Sequence, residues 1–230
     1  MGGERVLGVD ACKAGWVGIV LAKGCTSAHF AVSIGELVAL AEREGELAAV
    51  AIDIPIGLPD AGRREADVLA RRAVGPRWAS VFMTPVRAAL EADDHASAVA
   101  ISRRLAGEGI SRQAFNLKEK LLQVDGWVRS TRHRVAEVHP ELCFATLAGA
   151  PLPSRKSTWA GAETRRALLA GVGVAPAGDL GLAGAMAGVD DVLDAAAAAW
   201  TARRLAAGEA RPLPDPPQRF GDGLECAIWV

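Results

Sequence analysis

The sequence predicts an α/β protein whose mixed sheet is flanked by helices and interrupted by a mostly helical insertion. Three observations carry that expectation. Apolar runs at residues 6–9 and 16–21 enclose a small, turn-like stretch from Ala11 to Gly15, which reads as a β-hairpin. A second apolar run, residues 47–52, meets Asp53 and is then stopped by Pro55 and Gly57. Between the two, residues 34–44 place Ile34, Leu37, Val38 and Ala41 on one face and end at Gly45, the pattern of an amphipathic helix.

Taken in order, residues 27–33 supply a third strand before that helix, and the run ending at Asp53 supplies a fourth. Three antiparallel strands, a helix and a parallel fourth strand form the opening half of a ribonuclease H-like arrangement. From about 58 to 134 the alternation breaks. Residues 63–73 and 93–105 are helix-like, 76–85 is irregular, and 112–128 contains another amphipathic helix. Residues 133–138 return to a strand pattern. A helix over 163–169, a Gly- and Ala-rich loop over 171–188, and a long helix over 189–205 follow. The chain closes with the Pro-rich segment 212–217 and a short strand or tail over 223–230. No internal repeat or long linker divides it, so residues 1–230 read as one domain with an insertion.

Composition narrows the function classes. At 230 residues, half of them apolar, the chain can bury a substantial core. A formal net charge of -1 gives no global attraction to polyanions, so a site for phosphates must be a local patch. The four cysteines (Cys12, Cys25, Cys143 and Cys226) form no CxxC pair and read as free thiols of a reducing compartment. Together with the lack of a signal-like or membrane-spanning run, they lead us to expect a cytoplasmic protein that engages no membrane.

The candidate site is a set of acids at strand ends. Asp10 closes the first strand and Asp53 the fourth, and in open α/β sheets ligands bind at that end. Neighbouring strands lie about 4.8 Å apart. Paired there, the two carboxylates would repel unless a cation or a shared proton compensated. Glu137 repeats the pattern, an acid shortly before Pro140. Asp191 and Asp194 lie three apart at the start of the last helix, where they share a face, although acids in a first turn also suit the helix dipole. His139 could ligate, relay a proton or only shape the turn. Arg63 and Arg77, at turns in the Arg-rich insertion, and Lys156, in a polar loop, are candidate phosphate contacts. Aromatic stacking platforms are sparse, and Trp78 is the best placed.

Five ordered segments resemble one family. Gly8-Val9-Asp10 with Gly15-Trp16, Ile52-Asp53-Ile54-Pro55-Ile56-Gly57-Leu58, Ser80-Val81-Phe82 with Thr84-Pro85-Val86-Arg87, Glu137-Val138-His139-Pro140-Glu141 and Asp190-Asp191-Val192-Leu193-Asp194-Ala195 look like the family known as domain of unknown function 429. That resemblance implies a ribonuclease H-like fold and a nuclease activity, with the acidic set on Asp10, Asp53, Glu137 and the Asp191/Asp194 pair. The expected chemistry is phosphodiester hydrolysis with two Mg²⁺ or Mn²⁺ ions on those carboxylates, acting on nucleic acid or another phosphoester. Two rivals remain at this level. One is an ATP-dependent phosphotransferase of the actin and sugar-kinase type, which also opens on an acid-bearing hairpin; the other is a non-catalytic nucleic-acid-binding module.

Overall fold

The computed structural model describes residues 4–230. Its sheet has seven strands: β1 (Val6–Cys12), β2 (Gly15–Ala22), β3 (Cys25–Ala31), β4 (Ala49–Ile52), β5 (Val135–Glu137), β6 (Pro212–Arg219) and β7 (Glu225–Trp229), in the spatial order β3-β2-β1-β4-β5-β7-β6. β1, β2 and β3 form an antiparallel meander with Asp10 opposite Val17. β4 then lies parallel to β1, Val9 opposite Ile52, and β5 parallel to β4, Ile52 opposite Glu137. The mixed sheet with helices on both faces is consistent with a ribonuclease H-like fold. Its consequence for function is local: Asp10, Asp53 and Glu137 emerge from three adjacent parallel strands at the same end.

The apolar runs are continuous because both faces of the sheet are covered. Successive side chains of a strand point to opposite faces. Val6, Ala49 and Ala51 accordingly join a core with the helices α7 (Pro140–Ala148), α8 (Trp159–Gly171) and α10 (Val189–Ala206), whereas Leu7, Val9, Val50 and Ile52 join another with α1 (Ile34–Glu42) and the insertion. α10 lies directly on β1. At Gly8 a Cβ would stand 1.9 Å from the Ala199 nitrogen, and Ala195 to Ala199 are fully buried, so small residues on both elements set this close approach. The acidic first turns of α10 are thereby brought to the strand end that carries Asp10.

α1 begins on a capping box, Ser33 with Glu36. Between β4 and β5 the chain makes only helices: α2 (Glu65–Ala73), a 3-10 helix (Gly75–Ser80), α3 (Arg87–Leu90), α4 (His95–Ala106), α5 (Arg112–Asn116) and α6 (Lys118–Ser130). The single helix expected over 112–128 is two, meeting at Leu117. Pro140, read from sequence as a strand stop, also opens α7, because proline lacks only an N–H that a first helical residue does not use. The Gly- and Ala-rich loop contains a short α9 (Gly181–Met186), anchored by buried Ala183. The Pro-rich segment is itself strand β6. It sits at the sheet edge and pairs only with β7, a place where missing N–H groups are tolerated. No helix among the described residues is long and apolar enough to cross a membrane.

Candidate active site

A cleft of about 260 Å³ opens at the carboxyl ends of the central strands, lined by Asp10, Asp53, Asp67, Glu137, His139, Lys156 and Asp191 among others. Two clusters of charge meet in it.

The first is acidic. Asp10 is only 6% exposed, and its Oδ1 accepts the Ala11 N–H at 2.7 Å. Asp53 follows β4 directly and stays in line with β1, since its own N–H donates to the Val9 carbonyl at 3.0 Å. The Asp53 carboxylate has no hydrogen-bond partner among the described residues. Asp194, on the second turn of α10, is buried and receives the Lys156 ammonium at 2.6 Å. Lys156 also stands 3.5 Å from Asp190. Asp191 plays a different part. Its Oδ2 accepts the Gly188 N–H at 2.9 Å and so caps α10, while the residue also lines the cleft. The two possibilities open for these acids are thus divided, with Asp191 capping the helix and Asp194 facing the cluster.

Charge in this cluster is poorly balanced. Burial, then repulsion from Asp53 and Asp194, holds the Asp10 carboxyl well above the usual carboxylate range. Burial pushes Asp53 up to about 7 against the pull of Lys156, and Asp194 up to about 7 for the same reason. Lys156 is raised as well, since burial, which would lower it, is outweighed by the neighbouring acids that hold its proton more tightly. One ammonium faces several carboxylates.

In the second cluster both carboxylates have hydrogen-bond donors. Glu137, 4% exposed, accepts from the Arg64 guanidinium at 2.6 Å and from the Ile56 N–H at 2.8 Å. Arg64 is fully buried and also reaches Thr84 Oγ1 at 3.2 Å, with Asp67 3.6 Å away; Asp67 in turn accepts the Thr84 N–H at 2.7 Å. Burial raises the Glu137 carboxyl, and Arg64 and the Ile56 amide oppose that. Beside this pair, His139 Nε2 lies 3.4 Å from the Ser80 carbonyl and its Nδ1 is buried without a partner. Burial lowers the imidazole's proton affinity, so the ring is neutral near pH 7.

The structure therefore brings Asp10, Asp53, Glu137, His139, Lys156 and Asp191 to one cleft, with Asp194 buried beneath Lys156. It does not bring Arg63 and Arg77 there. Arg63 makes a two-bond pair with Glu108 at the surface, 2.6 and 2.8 Å. Arg77 donates to the Leu152 and Pro153 carbonyls and so fastens the loop that carries Lys156. Arg87 joins Asp125, Arg129 and Asp222, tying the insertion to the turn between β6 and β7. Sequence reasoning missed Arg64, Asp67 and Thr84. Thr84 did lie within one of the five family-like segments, but a buried Arg64 beside an exposed Arg63 leaves no signal in composition.

The donors suit a hard divalent cation. They are carboxylate oxygens, they carry excess negative charge, and Asp53 is otherwise unpartnered. Among the described residues no three His, Cys, Asp or Glu side chains are arranged to hold a metal ion. The Asp10 and Asp53 pair still fits Mg²⁺ or Mn²⁺, since Mg²⁺ commonly takes one or two protein carboxylates and leaves its remaining positions to water and substrate phosphate.

No curated protein and no solved structure matches the chain. The model of one family matches residues 8–219, a span that includes every acid of the cleft. The chain belongs to the family described as Protein of unknown function (DUF429).

Proposed function

We propose that the protein is a divalent-cation-dependent phosphodiesterase of the nuclease type. One observation carries the reading: Asp10 and Asp53, on adjacent parallel strands, share a cleft with Lys156, whose ammonium is bonded to the buried Asp194 of the overlying helix and offsets the charge of all three acids. Such a cluster is costly to keep ionised, and a bound cation is what would compensate it.

Asp10 and Asp53 would hold Mg²⁺ or Mn²⁺. When bound, the ion supplies Lewis-acid stabilisation of phosphoryl charge and lowers the pKa of water. The chain's own groups do the rest. Lys156 places a point charge at the cleft wall within reach of a phosphate oxygen. His139, neutral and with a free ring nitrogen, can accept a proton in the cleft. The Arg64–Glu137 pair fixes the floor by joining α2 to β5. Trp78, 57% exposed in the 3-10 helix just before the cleft-lining Ser80 and Val81, offers a face on which a base can stack.

The test is incubation of metal-free protein with single- and double-stranded DNA and RNA oligonucleotides, with and without Mn²⁺. Cleavage that requires Mn²⁺, and that disappears in EDTA and in Asp10→Asn, supports the reading. Binding that persists in EDTA with no cleavage of any substrate would instead favour the non-catalytic module.

A further inference from the structure

Lys156 is built into the acidic cluster and is not a loose surface lysine. Its loop is fastened from both sides. Arg77 donates to the Leu152 and Pro153 carbonyls, and Arg165 donates to the Ser154 carbonyl at 3.2 Å. Arg165 is itself fully buried, paired with Glu141 at 2.7 Å and lying over the Phe144 ring. At the far end of the loop, Thr158 caps α8 by accepting the Gly161 N–H. Between these anchors the ammonium is delivered to Asp194 at 2.6 Å, with Asp190 at 3.5 Å.

The two halves of the cluster differ accordingly. Asp194 already has a cation. Asp10 and Asp53 have none in contact: the Asp53 carboxylate makes no hydrogen bond among the described residues, and Asp10, nine-tenths buried, lines the cleft with Oδ2 equally unpartnered. Two-ion phosphoryl sites place their cations about 3.5–4 Å apart, so that attacking and leaving oxygens are both stabilised. An ammonium bonded to Asp194 takes up the carboxylate that a second ion would need as a ligand.

We infer that the site takes one divalent cation, on Asp10 and Asp53, and that the Lys156 ammonium stands in place of the second on Asp194. This rests on the phosphodiesterase reading and replaces its expected two-ion set with one ion and one lysine. During catalysis Lys156 would supply the fixed positive charge for a phosphate oxygen that a second ion otherwise supplies.

The experiment is calorimetric titration of Mn²⁺ into the metal-free full-length chain and three variants, each first shown to melt cooperatively. The parent is expected to bind one ion per chain, Asp53→Asn none, and Asp194→Asn still one. Lys156→Met, which keeps the side chain's bulk and removes its charge, is expected to bind two. Two ions in the parent would overturn the inference and leave the phosphodiesterase reading standing. So would loss of the single ion in Asp194→Asn, which would place the ion on the helix acid, or an unchanged count in Lys156→Met. No binding by the parent would overturn both.

Discussion

Asp53 and Glu137 look alike in sequence, each an acid at the end of a buried strand and shortly before a proline, yet they have opposite surroundings. Glu137 is met by Arg64 and by a backbone amide, both at Oε2, so it has a cation in contact within the fold, although burial still raises its carboxyl to about 7. Asp53, one strand away, faces Asp10 and the approach of Asp194 with no hydrogen-bond donor of its own. The difference teaches where structure ends and function begins in this cleft. A buried carboxylate held by an arginine joins elements together, whereas carboxylates gathered without enough positive charge store repulsion that only protons or a cation can relieve.

The sharpest way to break this contrast is at the arginine. Arg64→Ala would leave Glu137 buried and unpaired, and breaking a buried pair in this way costs about 3–5 kcal/mol. Urea denaturation measures it, and a variant as stable as the parent would show that Glu137 does not depend on Arg64. The acidic cluster should behave in the opposite sense. In the unfolded chain Asp53 and Asp194 lose their protons near 3.8, in the folded chain near 7. Between these values the folded state holds more protons than the unfolded, so stability falls as pH rises and levels off above about 7. The expected loss is on the order of 4 kcal/mol per carboxyl, read as a declining melting temperature in metal-free buffer. Asp53→Asn should make that decline shallower, with Asp10, Asp194 and Glu137 still contributing to it, and raise the melting temperature at pH 8, and a profile identical to the parent's would contradict the account. At the small end, Arg63→Ala removes an exposed pair worth about 0–1 kcal/mol. It should leave both stability and cleavage almost unchanged, while a large loss of cleavage would return Arg63 to the substrate contacts expected from sequence.

Much of this was legible in the chain itself. The hairpin and the parallel fourth strand follow from apolar runs that stop at Asp10 and Asp53, and a continuous run of this kind is what a strand covered on both faces requires. The meeting of α10 with β1 was foreshadowed by the alanines from Ala195 to Ala199, although the matching signal at Gly8 is visible only once the two elements touch. What sequence could not show is which partner each charged residue finds. Glu137 and Arg64 are 73 positions apart, and nothing in the Arg63-Arg64 dipeptide says which side chain turns inward. Arg77 reads as a phosphate contact because it is basic and near a turn, but its donors go to the carbonyls of the Lys156 loop. The Pro-rich strand β6 was hidden for a different reason: proline argues against a strand everywhere except at an edge, and edge position is a property of the whole sheet.

The most direct test of the contrast is the change in melting temperature on adding Mn²⁺ at pH 8, measured side by side in the parent, Asp53→Asn and Glu137→Gln. A ligand that binds only the folded state raises the melting temperature. The account predicts a rise in the parent, none in Asp53→Asn, and a rise of similar size in Glu137→Gln from whatever baseline that variant has. A rise retained in Asp53→Asn, or abolished in a folded Glu137→Gln, would contradict it.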